Sequence, residues 1–336
     1  MTNLLLILVL ANQSKQALPG KPFGLSAESY LFIATEAGVY RYDKRALEWS
    51  VITTKNGLPR DRATLIGVNE GLLWVGTDSG IGLADLKLLN FRVAEPVPIS
   101  GICFDDDYVY AGSPAGILRY DKYKDRWERF ETKGGVHDLT RTEEQLFAAT
   151  DSGLAIFNTR YEKFEALPFK IEEALSHIIV ANQNLFFIGT AHIFQYKKTT
   201  RGWGRFEGFV INDYAVRGDS VWAATDDGIL IYDDLLGSWS RYRQDEWLPD
   251  KRITCISVTG DFLIFGSDQG ISIVDNDKKT WKRYSLTNGL VEEKIVRAFE
   301  EGGQVYLLSP GWLQWLDDKG NWKRQKIEGA AARRPR

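Results

Sequence analysis

Apolar and polar positions along this 336-residue chain follow one short pattern that recurs eight times. A nearly continuous apolar run closes on a small or hydroxyl residue, and a tight turn with Gly follows. Apolar and polar residues then alternate up to an aromatic or aliphatic residue and, usually, an Asp. The copies are LFIATEAGVYRYD (31–43), LWVGTDSGIGLAD (73–85), VYAGSPAGILRYD (109–121), LFAATDSGLAIFN (146–158), LFFIGTAHIFQYK (185–197), VWAATDDGILIYD (221–233), LIFGSDQGISIVD (263–275) and VYLLSPGWLQWLD (305–317). The continuous run predicts a strand buried on both faces, and the alternation predicts one buried on a single face.

Fixed offsets tie the rest of each unit to this hairpin. The turn glycine falls at Gly38, Gly80, Gly116, Gly153, Gly228, Gly270 and Gly311, with His192 in its place in the fifth copy. Glycine supplies the positive φ that such turns need. A hydroxyl precedes the turn at Thr35, Thr77, Ser113, Thr150, Thr190, Thr225, Ser267 and Ser309, where it can bond the turn backbone. Eleven residues after each turn position stands an aromatic: Trp49, Phe91, Trp127, Phe164, Trp203, Trp239, Trp281 and Trp322. It marks an outer strand, often Trp-x-Arg-aromatic, whose charge suits an exposed edge. An apolar strand such as ITCISV (253–258) precedes each hairpin. Four strands repeated at roughly 39-residue spacing predict an all-β chain, a β-propeller of eight four-stranded blades. Seven blades, with one terminal copy peripheral, is the alternative.

The ends add two expectations. LLLILVL (4–10) followed by Ala11 is too short to span a bilayer and fits a secretory apolar core with Val9 and Ala11 before a cleavage site. An ordinary strand is the other reading. This divides the chain into a leader over 1–18, one propeller domain over 19–328 and a disordered tail over 329–336. It places the protein in the periplasm or outside the cell, with the cytoplasm as alternative. All eight copies already hold four strands, so closure asks for none from residues 1–18.

Composition removes several function classes. The apolar share of 44% excludes a disordered chain. With 42 basic and 45 acidic residues, binding nucleic acid through bulk charge is not expected. Two cysteines make neither a disulfide scaffold nor a four-thiolate zinc site. Cys103 and Cys255 fall in first strands of blades 3 and 7, and two thiols outside any disulfide are expected.

Trp-Val-Gly-Thr-Asp-Ser-Gly-Ile (74–81), with the Asn-Gly-Leu segments at 56–58 and 288–290, resembles the repeat of two-component regulator propellers. The resemblance implies a sensory or binding propeller. It does not carry over the family's signalling output, because no membrane helix or kinase follows the eighth copy here. Asp followed six residues later by Trp, as in Asp43/Trp49 and Asp121/Trp127, is also similar to the tryptophan-docking repeat of quinoprotein dehydrogenases, without its Thr-Gly.

Candidate chemistry gathers on one face. The connections from outer strand to next blade are longest after blades 1, 4, 6 and 7, which predicts a binding face there. The first strands begin with Thr64, Ser100, His137, His177, Asn212 and Thr254, a polar ring at the expected channel mouth. Trp247, in RQDEWLPDKR (243–252), either stacks on a sugar or partner or packs under its own loop. His137, His177 and His192 fall in one sector and are weak candidates for a metal. The recurring Asp residues read as turn caps, and Asp105–Asp107 as a solvated hairpin rather than a calcium loop. No catalytic signature appears and no cofactor is expected. The expected function is a monomeric, non-catalytic module that binds a protein or glycan, with no nucleic acid and no membrane span. The alternatives are a propeller enzyme acting on polysaccharide and an assembly scaffold.

Overall fold

The computed structural model describes residues 7–9, 23–27, 30–35, 37–46, 48–86, 88–142, 144–242, 245–258, 262–275, 280–301, 304–317 and 320–327. The chain is an all-β propeller of eight blades, each built on four antiparallel strands in chain order. In blade 3 these are Gly101–Phe104, Tyr108–Ser113, Gly116–Asp121 and Arg126–Phe130. Contacts divide the chain into a unit holding blades 1–5 (3–180 and 185–208) and a unit holding blades 6–8 (181–184 and 209–336). Within each unit, the first strand of one blade lies against the first strand of the next.

The second and third strands carry most of the core. Tyr108–Ser113 and Gly116–Asp121 are buried almost throughout, while the outer strand Arg126–Phe130 alternates between exposed and half-buried. Phe32, Phe147, Phe187, Phe265 and Leu307 are each fully buried. Burying a side chain of this size stabilises a fold by about 1.5–3 kcal/mol. The outer aromatics pack back onto the third strand: the Trp49, Trp127 and Trp203 rings lie 4.9, 5.1 and 4.9 Å from Tyr42, Tyr120 and Tyr196.

The hairpin turn repeats one hydrogen-bond arrangement. The hydroxyls of Thr35, Thr77, Ser113, Thr150 and Thr225 donate to the carbonyl of the turn glycine at 2.8–2.9 Å. Each also accepts from the N–H two residues on, as Ala115 N–H to Ser113 Oγ at 3.2 Å. Gly116 takes φ 121°, and a Cβ there would collide with the Phe130 carbonyl oxygen. Blade 5 departs from the expected pattern. Its pairing of Gly189 with Leu175 matches that of Thr150 with Val136, so Gly189 and not Thr190 holds the hydroxyl position. The offset expected from the sequence was one residue too long.

At the opposite end of the blades, Asp residues cap the turn into the outer strand, as expected. Asp43 accepts from Arg45 and Ala46 N–H (2.9 and 3.0 Å), Asp121 from Tyr123 and Lys124, and Asp233 from Leu235 and Leu236. Asn158 does the same in blade 4.

The leader and tail expectations lie outside the described residues except at Ile7–Val9. That segment is a short strand paired in parallel with Phe23–Ala27, as a fifth strand of the first blade.

Candidate functional site

The long connections fold into fixed shapes. After blades 1 and 7, Thr54–Asn56 and Leu286–Asn288 form single 3-10 turns closed by capping boxes from Thr53 and Ser285. Each turn is tied again by a carboxylate seven residues on: Asp61 accepts from Thr54 N–H at 2.7 Å and Glu293 from Leu286 N–H at 3.1 Å. Leu58 and Leu290 are buried beneath them. The Asn-Gly-Leu segments are therefore cap, positive-φ exit and apolar anchor. After blade 6, Asp245–Trp247 forms a similar turn with Leu248 buried. Trp247 is half-buried against its own blade, its ring 6.4 Å from Tyr242. It is not a projecting platform.

The polar ring is engaged between blades. Thr64 Oγ1 donates to the Ile99 carbonyl at 3.0 Å, Thr254 Oγ1 to Ile295 at 2.9 Å and Asn212 Nδ2 to Ile253 at 3.1 Å. Ser100 Oγ bonds the Val136 carbonyl. In every case the acceptor lies at or just before the start of the next blade's first strand, so these four side chains clip one blade to the next. Their hydroxyls and amide are committed to the scaffold rather than displayed to a ligand.

His177 is not a member of this ring. The bulge between Leu175 and His177 puts Ser176 at the ring position and turns His177 into the sheet. His177 shares its position with Asp138 and Asp213, both buried and each accepting a backbone N–H from the next first strand. Ile178 N–H donates to Asp138 at 2.8 Å and Ile256 N–H to Asp213 at 3.0 Å. Arg297, also buried, pairs with Asp213. Burial pushes the Asp138 carboxyl well up, against the pull of the Ile178 and Leu139 N–H groups. Burial, with a smaller repulsion from His137, pushes His177 down to about 3, so it is neutral at ordinary pH. Neither cysteine is in a disulfide; both are buried, and burial raises the Cys103 thiol far above reactive range.

The other two histidines each take a carboxylate of their own. His137 Nε2 lies 2.6 Å from Asp151 Oδ1, and Gly135 N–H donates to the other oxygen of Asp151 at 2.7 Å. The His137 bond, then the Gly135 bond, lowers the Asp151 carboxyl. His192 Nδ1 lies 2.7 Å from Glu173 Oε1. Glu173 Oε2 also accepts from Ala191 N–H (2.7 Å), Thr190 Oγ1 (3.1 Å) and His192 N–H (3.3 Å). A Cβ on Gly189 would lie 2.5 Å from that oxygen. The Glu173 carboxylate thus fills the space of the missing turn hydroxyl and does its work. Burial would raise Glu173, but these donors outweigh it and hold it below the usual carboxylate range. Glu173 belongs to no repeat position or motif; the only mark of its role in the sequence is the missing hydroxyl at 189. Among the described residues no three His, Cys, Asp or Glu side chains gather as metal ligands.

The long connection after blade 4 borders an open cleft of ≈ 710 Å³. Asp151 and Ser152 form one side, with Lys133 beside them; Phe169, Lys170 and Glu172 form the other. The arrangement offers charges of both signs around an apolar floor of Leu154, Leu167 and Ile171. Asp105 does not form a cation site. Its side chain caps its own hairpin (Asp107 N–H at 2.9 Å, Tyr108 N–H at 2.6 Å), and Lys122 Nζ occupies the carbonyls of Asp105 and Asp106 at 2.7 and 3.1 Å.

No protein-family profile matches this sequence, and no curated protein does. Solved structures do match in fold. One is the extracellular domain of a one-component system from B. thetaiotaomicron, also described as a hybrid two-component system: 16% identical, TM-score 0.57, covering 92% of this chain and 53% of that one. This chain therefore spans about half the length of that domain. BamB from Moraxella catarrhalis is 14% identical with TM-score 0.59, covering 85% of this chain and 92% of BamB. The computationally designed Ika8 protein is 10% identical with TM-score 0.66, covering 95% of this chain and 99% of that one. At these identities the likeness is one of fold.

Proposed function

We propose that this chain is a non-catalytic binding propeller, exported to the periplasm or beyond, which holds a protein or glycan partner as a sensory or envelope-associated module. The observation that carries this reading is the cleft beside blade 4. Its volume falls within the roughly 300–1,000 Å³ of ordinary ligand pockets. It is bordered by one of the connections whose length varies, and Asp151, one of its lining residues, holds His137 at 2.6 Å. The fold likeness to extracellular domains of sensory systems agrees with it. Among the described residues no helix is long and apolar enough to cross a membrane. The protein acts as a monomer in this reading.

The test is capture from the envelope fraction of the native host, using the full chain and a Lys133→Glu/Lys170→Glu variant. The wild type retains a specific protein or glycan and the variant loses it, while both melt at the same temperature. Equal retention by both proteins removes the cleft as the site. Release of reducing ends from a polysaccharide panel would replace the binding reading with an enzymatic one.

A further inference from the structure

A second site lies at the other end of the strands, where the turns into the outer strands stand. Adjacent blades here are joined by a charge pair. In blade 3, Asp125 occupies the turn position two residues before the outer aromatic, with φ 49°. It reaches back to Arg92, the residue after the outer aromatic of blade 2, at 3.0 Å. Tyr120 Oη donates to the same Asp125 oxygen at 2.5 Å. Glu162, at the same position in blade 4 with φ 51°, reaches back to Arg119 of blade 3 at 2.7 Å.

Between blades 4 and 5 the same positions carry the opposite charges. Glu165 of blade 4 stands where blade 2 has Arg92, and Arg201 of blade 5 (φ 54°) stands where blade 3 has Asp125. Tyr196 takes the place of Tyr120. Among the described residues no ion pair joins Glu165 to Arg201; both instead line a pocket of ≈ 270 Å³. The Glu165 oxygens accept only from neutral amides, Gln145 Nε2 at 2.6 Å and Asn158 Nδ2 at 2.7 Å. That holds the carboxylate in place and leaves its charge without a cation. Arg201 has no carboxylate partner among the described residues. The other charged groups here are Lys198, beside Arg201, and Glu144, which is bonded to Arg160 at 3.1 Å.

We propose that this pocket binds a small zwitterion, a free α-amino acid, with its ammonium on Glu165 and its carboxylate on Arg201. A held carboxylate and an arginine that line one cavity without meeting are complementary to a ligand carrying both charges. Arginine receives a carboxylate in bidentate geometry, and charge-assisted hydrogen bonds of this kind are the strong ones. The volume lies just under the range for drug-sized ligands, which restricts the occupant to a small molecule. The Tyr196 ring, fixed 4.9 Å from Trp203 and 5.3 Å from Phe147, makes a rigid wall. This site is separate from the cleft proposed above and stands or falls independently of it.

Titration calorimetry on the full chain tests it, with the proteinogenic L-α-amino acids as probes. Matched α-hydroxy acids, which lack the ammonium, primary amines, which lack the carboxylate, and hexuronates are the controls. At least one amino acid binds, and neither of its two truncated analogues does. Arg201→Asn keeps a residue that tolerates positive φ, and Glu165→Gln keeps the shape; each lowers affinity about tenfold or more. Unchanged melting temperatures show that both variants are folded. The proposal is overturned if no amino acid binds at millimolar concentration, if a hexuronate binds instead, or if both variants bind as the wild type does.

Discussion

Blades 3 and 5 share one backbone and stabilise it by different means. In blade 3 every repeat role is filled from within: Ser113 closes the hairpin, Asp121 caps the turn to the outer strand, and Asp125 joins Arg92 next door. In blade 5 all three positions have changed, to Gly189, Lys197 and Arg201. The hairpin is held instead by Glu173, which arrives from the connecting loop. A backbone turn needs a hydrogen-bond acceptor of the right placement, and it is indifferent to which residue supplies it. Once the scaffold role passes to a loop carboxylate, the residues at the blade's two ends can serve other ends. The pocket lined by Arg201 is at such a vacated position.

Removing the borrowed carboxylate should produce the largest effect. Glu173→Ala leaves several turn donors without their acceptor and should cost about 2 kcal/mol in urea unfolding. Adding Gly189→Thr to that variant rebuilds the repeat hydroxyl and should recover much of the loss. Gly189→Thr alone should destabilise, because its Cβ meets the carboxylate. A double-mutant cycle that shows simple additivity would break the comparison.

Ser113→Ala, the matching change in blade 3, should cost about 1 kcal/mol, since only a neutral hydroxyl is lost. A cost equal to that of Glu173→Ala would show that the two turns are held alike.

Acid should separate the turns as well. The Glu173 carboxyl is held below its ordinary value of 4.5, so its contribution is fully present above that pH. It is lost as pH falls through the lower folded value. The hydroxyl of Ser113 does not titrate in this range. Hydrogen exchange at the Ala191 amide should therefore lose protection in acid, and exchange at the Ala115 amide, after correction for intrinsic rate, should not. The smallest effect is expected from Lys197→Asp, which restores the cap of the other turn and should raise stability by about 0.5 kcal/mol.

Much of the architecture was legible because the repeat is local. A turn hydroxyl, a glycine and an outer aromatic act within one blade, and their spacing recurs whatever surrounds them. Asp43, Asp85, Asp121 and Asp233, read as caps, accept turn N–H groups for the same reason. The site was far less legible. Thr64, Ser100, Asn212 and Thr254 hold equivalent positions in their blades, but their bonds run to residues 35–41 positions away in the next blade. Nothing local distinguishes a clip from a displayed ligand. His177 was misplaced because one bulge at Ser176 shifts the side chain from mouth to interior, and a bulge leaves little trace in an apolar run. Trp247 was ambiguous from sequence; its packing against a cluster that includes Tyr242 exists only in the folded protein.

The sequence by itself determined the strand pattern, the count of eight and the hydroxyls that close the turns of blades 1–4 and 6, since these rest on interactions between near neighbours. Tertiary structure alone decided which polar groups remain for other work. Whether Glu165 meets an arginine, or Glu173 reaches a turn 18 residues ahead, depends on how one blade is set against the next. That setting is fixed by side-chain packing and hydrogen bonds between distant segments, which the order of residues in any one repeat does not encode.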